Sequence, residues 1–189
     1  MAQQLHADIE AIRITEEQIK DRVRELGEMI TRDYDGKDLV LVGILKGATL
    51  FLADLVRQID MPISFDFVAV RSYGQGASSA GVVRMMKDLD NSVESRHVLV
   101  IEDVVNPRMS QRLSYLVENL QSRRAASVRV CTLLDKPSRR KYVTGGVEPD
   151  YVGFLVDEEY LVGYGLDYEG RYRSLPYIGV LKPVIYGGG

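Results

Sequence analysis

The stretch His97-Val98-Leu99-Val100-Ile101-Glu102-Asp103-Val104-Val105-Asn106 limits the possible folds more than any other. Val98, Leu99, Val100 and Ile101 form an unbroken, partly β-branched apolar run, which suits a strand in the middle of a parallel sheet covered on both faces. The run leads directly into two adjacent carboxylates. Ligands of open α/β sheets sit outside the carboxyl ends of the strands, so paired acids there mark a candidate binding site. Asn106-Pro107-Arg108 reads as a turn, and a helix is expected over residues 110–121 with Leu113, Leu116, Val117 and Leu120 on one face.

Upstream, Thr15-Glu16-Glu17-Gln18 has the spacing of a capping box. Ile19, Val23, Leu26 and Ile30 follow at helical spacing, predicting a helix over residues 16–34 that Asp35-Gly36 ends. Residues 39–45 read as a buried strand broken at Lys46-Gly47, and 48–59 as a second helix with Leu50, Phe51, Leu55 and Ile59 facing inward. Residues 63–70 predict a strand and 82–86 a returning one, so that about 71–87, with its polar, glycine-rich centre, would form a mobile flap. Further strands are expected over 128–134, 151–156, 160–162 and 178–181, and the tail over about 187–189 is expected to be disordered. Strands alternating with helices predict an α/β fold, a mostly parallel central sheet with helices on both faces. Right-handed crossovers then carry Lys46, Glu102-Asp103 and Asp135-Lys136 to one rim.

With 189 residues the chain is long enough to bury one sizeable core, and 1–189 is read as a single domain. The formal net charge of −3 gives no general attraction to nucleic acid or anionic membranes. Arg123-Arg124 and Arg139-Arg140-Lys141 read as solvated surface. The single cysteine, Cys131, sits in an apolar strand-like run and reads as a small buried hydrophobe in a reducing compartment. The first residues lack the pattern of a signal peptide, and no apolar run approaches the roughly 20 residues that span a bilayer. A cytoplasmic location is expected, with no membrane and no nucleic-acid partner.

Adjacent carboxylates can accept hydrogen bonds from neighbouring ribose hydroxyls, and a helix N-terminus after them favours a phosphate. Lys46-Gly47 opens a second helix N-terminus with a cation beside it. A ribose phosphorylated at both ends would suit that set. Taken singly, Glu102-Asp103 also reads as a solvated cap, Lys46 as a surface lysine, Tyr160 as a core or edge aromatic, and Asp167 with Arg173 as a surface pair.

Specific pieces then fall in order along residues 9–186: Gly43-Ile44-Leu45-Lys46-Gly47, Ser72-Tyr73-Gly74, Lys87-Asp88-Leu89-Asp90, residues 98–105, Leu133-Leu134-Asp135-Lys136-Pro137, Val162-Gly163-Tyr164-Gly165-Leu166-Asp167-Tyr168 and Leu175-Pro176-Tyr177-Ile178-Gly179-Val180-Leu181. In this order and spacing the chain resembles the hypoxanthine-guanine phosphoribosyltransferases. The resemblance implies a type I phosphoribosyltransferase fold with a flap hairpin and a small hood. It also implies purine salvage, the transfer of a 5-phosphoribosyl group from phosphoribosyl pyrophosphate to N9 of hypoxanthine or guanine, and a homodimer or homotetramer. By position it implies a pyrophosphate loop at Leu45, Lys46 and Gly47, with a cis peptide at its first bond. Glu102 and Asp103 would bind the ribose hydroxyls and Lys136 the purine 6-oxo group. Tyr160 would stack on the base, Leu161 would meet it through its backbone, and Arg173 would reach the pyrophosphate. Mg²⁺ would be held at Glu102, Asp103 and Asp167, and Ser72 and Tyr73 would ride on the flap that closes over the site.

One segment departs from the pattern. Where the family has Asp-Thr-Gly-x-Thr, this chain has Asn106-Pro107-Arg108-Met109-Ser110. The aspartate there is usually assigned as the base that takes the purine N7 proton, which Asn106 cannot do. Pro107 lacks an N–H and Arg108 adds a Cβ where the backbone should pass close to the 5′-phosphate. Arg108 offers a bidentate grip and Ser110 a hydroxyl in return, with Met109 between them. Arg71 also replaces a small polar residue. Two readings follow: an oxopurine phosphoribosyltransferase with turnover reduced by this loop, or a catalytically weak or inactive nucleotide-binding regulator on the same scaffold. A flavodoxin-like binding protein would share the sheet but leaves residues 160–173 unexplained.

Overall fold

The computed structural model describes residues 6–73, 82–137 and 147–187, apart from the side chains of 72, 73, 82 and 107–111. Strand β2 (Leu39–Ile44) lies in a six-stranded sheet with β3 (Ile63–Tyr73), β4 (Val82–Lys87), β5 (His97–Val105), β6 (Ser127–Asp135) and β7 (Tyr151–Leu155), in the order β4-β3-β2-β5-β6-β7. All neighbours are parallel except β3 and β4, which form the expected antiparallel hairpin. Its tip, residues 74–81, lies outside the described residues.

The period of two along the central strands sorts residues by size. Leu39 and Leu41 of β2 and Leu99 and Ile101 of β5 join one core; Val40, Val42, Val98 and Val100 join the other. Helix α1 (Glu16–Asp33) closes the first core with Ile19, Val23, Leu26 and Ile30, and its capping box is present: Gln18 N–H donates to Thr15 Oγ1 at 3.2 Å and Thr15 N–H to Gln18 Oε1 at 2.8 Å. Helix α2 (Thr49–Leu55), followed by a 3₁₀ turn (Val56–Gln58), covers the same face. It is shorter than the helix expected over 48–59, and Leu50 is not inward: it is 39% exposed while Leu52 is buried. Leu50 sits two residues from Leu52, roughly 200° around the helix, so the Phe51-Leu52-Leu55 face excludes it. Helix α3 (Pro107–Ser122) covers the second core with Leu113, Leu116 and Leu120.

Helix α3 begins three residues earlier than expected. Asn106-Pro107 is not the start of a turn: Pro107 is the first helical residue and Asn106 the residue before it. Asn is a preferred N-cap, and Pro is favoured at the first helical position, where its missing N–H has no partner to lose. The paired acids likewise lie inside β5, three and two residues before its last residue Val105, and not beyond it.

A second sheet stands over the first. Strand β1 (Ile9–Ile14) pairs antiparallel with β9 (Ile178–Leu181), and β9 with β8 (Leu161–Val162), in the order β1-β9-β8. This small hood encloses its own core of Val162, Tyr172, Leu175, Tyr177 and Leu181. It ends in the single turn α4 (Pro183–Tyr186), closed by Gly187 N–H to Pro183 O; Gly188 and Gly189 lie outside the described residues. No described helix is long and apolar enough to cross a membrane. Cys131 is fully buried, and burial pushes its thiol up.

The Lys87-Asp88-Leu89-Asp90 piece anchors the β3–β4 hairpin. Lys87 Nζ donates to Phe67 O at 2.9 Å and pairs with Asp66 and Asp90, while Asp88 takes two 2.8 Å hydrogen bonds from Arg123 at the end of α3. Arg123 holds the Asp88 carboxyl below the ordinary carboxylate range. A folded value below the unfolded one stabilises the protein above the ordinary carboxylate pKa, and the gain disappears as pH falls through the folded value. Both groups are partly exposed, so the effect is small: Asp88→Asn is expected to lower Tm by about 1–3 °C at pH 7 and by progressively less as the solution is acidified, read by calorimetry across that pH series.

Candidate functional site

The site forms at a step in the sheet. Strand β2 pairs with β5 only as far as Gly43 opposite Ile101, whereas β5 runs on to Val105 beside β6. The chain order also reverses between β2 and β5, because β2 leads outward to β3 and β5 leads the other way to β6 and β7. That is a topological switch point, where doubly wound sheets leave a crevice. A cleft of about 1100 Å³ opens there.

Into it the structure brings Leu45, Lys46, Gly47, Glu102, Asp103, Asn106, Lys136, Tyr160, Leu161, Asp167 and Arg173. Of the remaining expected site residues, the side chains of Ser72, Tyr73, Arg108, Met109 and Ser110 lie outside the described ones. Asp135, expected on the same rim, is buried and does not line the cleft. Sequence reasoning missed Arg112, Glu158, Glu159 and Tyr186, which do.

Gly47 is the tightest point. After the cis Leu45–Lys46 peptide, its backbone passes so close to Asp103 that a Cβ would sit 1.6 Å from the carboxylate Oδ2. On the other side Gly165, at φ +99°, approaches the Gly47 carbonyl so closely that its own Cβ would lie 2.2 Å away. Only glycine meets both conditions at 165, a left-handed φ and no room.

The acids are buried: Glu102 is 3% exposed and Asp103 8%. Burial and the neighbouring Asp103 charge push the Glu102 carboxyl well above the ordinary carboxylate range, and Arg112 of α3 pulls it back. Asp103 Oδ1 accepts Val104 N–H at 2.8 Å. Opposite them, Lys136 Nζ donates to the Glu159 carbonyl at 2.7 Å, and the Glu159 side chain is itself held by Arg13 of β1 at 3.1 Å. The hood thereby fixes the ammonium that rises from the end of β6.

Asp167 and Arg173 are a half-buried ion pair at 2.6 Å inside the cleft, not a surface one. Arg173 Nη1 also donates to Gly165 O, and Asp167 Oδ2 accepts Gly170 N–H at 2.7 Å. Tyr164 fastens this hairpin to α2 by donating its hydroxyl to Asp54 at 2.5 Å. Among the described residues no three His, Cys, Asp or Glu side chains form a preassembled metal cage.

A sequence model of the phosphoribosyl transferase domain matches residues 13–169. The chain is 49% identical over 179 residues to the hypoxanthine-guanine phosphoribosyltransferase of Bacillus subtilis, covering 95% of this chain and 97% of that one. It is 50% identical over 182 residues to the bifunctional protein TilS/HprT of Listeria innocua, covering 96% of this chain but only 27% of that longer protein. A crystal structure of a hypoxanthine phosphoribosyltransferase from Staphylococcus aureus superposes with a TM-score of 0.90 at 48% identity, covering 96% of each chain.

Gly47→Ala is expected to destabilise the protein by about 1–3 kcal/mol, because its Cβ must displace Asp103 or the loop. Gly36→Ala, whose Cβ would meet nothing, should cost about 1–2 kcal/mol for its positive φ alone. Urea denaturation of the two variants side by side measures the difference.

Proposed function

The chain belongs to the phosphoribosyl transferase domain family, and from that premise we propose that it transfers the 5-phosphoribosyl group of phosphoribosyl pyrophosphate to hypoxanthine or guanine. The observation that carries this reading is the placement of Lys136: its ammonium is oriented by the Glu159 carbonyl, next to Tyr160 and across one cleft from the Glu102-Asp103 pair. A fixed donor near an aromatic ring suits the 6-oxo group of a stacked purine, and an amino group at that position would meet a donor instead of an acceptor. The relatives give no support to the alternative of a non-catalytic regulator.

In the proposed reaction N9 attacks C1′ of the ribose as the bond from C1′ to the pyrophosphate oxygen breaks, and the purine loses one proton to water or to the departing pyrophosphate. Glu102 and Asp103 accept from the ribose hydroxyls, which places C1′ against the base. The 5′-phosphate lies at the N-terminus of α3, where unpaired N–H groups and the helix dipole favour an anion. Lys46, the Gly47 backbone and Arg173 take the pyrophosphate. Leu161 meets the base through its main chain. Ser72 and Tyr73, on the hairpin, close over the site and exclude water.

Mg²⁺ belongs to the same proposal. It prefers one or two carboxylates plus substrate phosphate oxygens to an all-protein cage, and the buried acid pair, with Asp167 apart from it and no cluster of three ligands among the described residues, fits that habit. Glu102, Asp103 and Asp167 would hold it, and when bound it neutralises charge on the departing pyrophosphate. A homodimer or homotetramer in the cytoplasm completes the reading.

The test is incubation of the protein with Mg²⁺, phosphoribosyl pyrophosphate and hypoxanthine or guanine; no nucleotide above background at high enzyme concentration sinks the proposal. Lys136→Gln is expected to raise KM for hypoxanthine about 10-fold or more while leaving KM for phosphoribosyl pyrophosphate within about 2-fold. Asn106 cannot accept the purine proton, so Asn106→Asp is expected to raise kcat about 10²-fold, with steady-state kinetics as the readout.

A further inference from the structure

The last residues of the hood reach the same cleft through Tyr186, a residue that no step above uses. Its ring stacks on Tyr160 with centroids 4.7 Å apart and planes 24° from parallel. Tyr168 meets Tyr160 from the side, at 5.5 Å and 84°. These are the offset-stacked and edge-to-face arrangements that aromatic pairs favour.

Tyr160 is 37% exposed, and a ring so open would sample several orientations without neighbours. Both its main chain and its ring are held by one terminal segment. Leu181 N–H donates to the Tyr160 carbonyl at 2.8 Å, and five residues later Tyr186 covers the ring. That segment is itself pinned: Lys182 N–H donates to Asp8 O at 3.0 Å, and Ile185 packs on the core formed by Val162, Tyr177 and Leu181. The position of Tyr186 is therefore set by the hood and not by chance contact.

We propose that Tyr186 is a positioning residue for the base: stacked on Tyr160, it holds that ring as the platform on which the purine rests. The inference rests on the purine-binding reading above and adds a residue to it. Fixing the platform before binding lowers the ordering cost of taking up the base, an effect on base affinity with no reach to the ribose or phosphates.

Calorimetric binding of inosine monophosphate and of ribose 5-phosphate, together with steady-state kinetics, tests it. Tyr186→Ala should weaken inosine monophosphate binding about 3- to 10-fold and raise KM for hypoxanthine in step. Ribose 5-phosphate affinity and KM for phosphoribosyl pyrophosphate should stay unchanged. Tyr186→Phe, which keeps the stack, should behave as wild type. Val184→Ala, at a 77% exposed position on the same turn, should change neither affinity. Unchanged or tighter inosine monophosphate binding in Tyr186→Ala overturns the proposal. So does a parallel loss of ribose 5-phosphate, a Phe variant as weak as Ala, or a Val184→Ala loss of equal size. A wild-type protein that does not bind inosine monophosphate at all overturns the purine-site reading itself, which separates the two failures.

Discussion

Gly47 is wedged between the Gly165 backbone and the Asp103 carboxylate, and the rest of the site is arranged around that contact. The Asp103 carboxylate comes from the middle of the sheet, Gly47 from the loop after β2, and Gly165 from the hood. Three segments distant in sequence can meet there only because β2 stops at Ile44 while β5 continues to Val105. A β2 strand running alongside β5 to its end would close the gap with ladder hydrogen bonds and leave nowhere for a ligand.

The electrostatics of the cleft make sense for a protein shaped by its ligand. Two adjacent carboxylates at 3% and 8% exposure repel each other and have lost most of their water, so an empty site is less stable than an apolar one of the same shape would be. The cations are more firmly placed. Arg173 is tied to Asp167 and to the Gly165 carbonyl, and Lys136 to the Glu159 carbonyl, so each is already oriented within the cleft. Pre-oriented polar groups in a partly dehydrated cleft act more strongly on a substrate than flexible ones in water.

The central sheet was legible because its strands carry their signal locally. Leu39-Val40-Leu41-Val42 and Val98-Leu99-Val100-Ile101 are apolar on both faces, and the structure buries both. The acid pair, Lys46 and Lys136 were legible for a related reason: each follows a buried strand run, and strand ends share a rim. Strand β1 was not. Its pairing with β9 has register shifts between Ile9 and Ala11 and between Ile12 and Ile14, which erase the alternation and leave Ile12 exposed. The early start of α3 follows from Asn106-Pro107, which serves equally in a turn and at a helix start; neighbouring residues do not decide between them. Arg112 and Tyr186 reach the cleft through tertiary packing alone, and no spacing in the chain announces them.

The hood's ladder joins Ile9 to Leu181, so its first and last strands meet only after nearly the whole polypeptide has been drawn together. Closing a loop of that length is entropically slow compared with zipping β5 onto β6, whose partners lie about one helix apart. A folding molecule with a finished central sheet would already have its acid pair in place. The aromatic wall and the carbonyl that steers Lys136 would be absent until the chain's two ends paired. The hood is therefore the part of the described structure that is assembled at the greatest contact order.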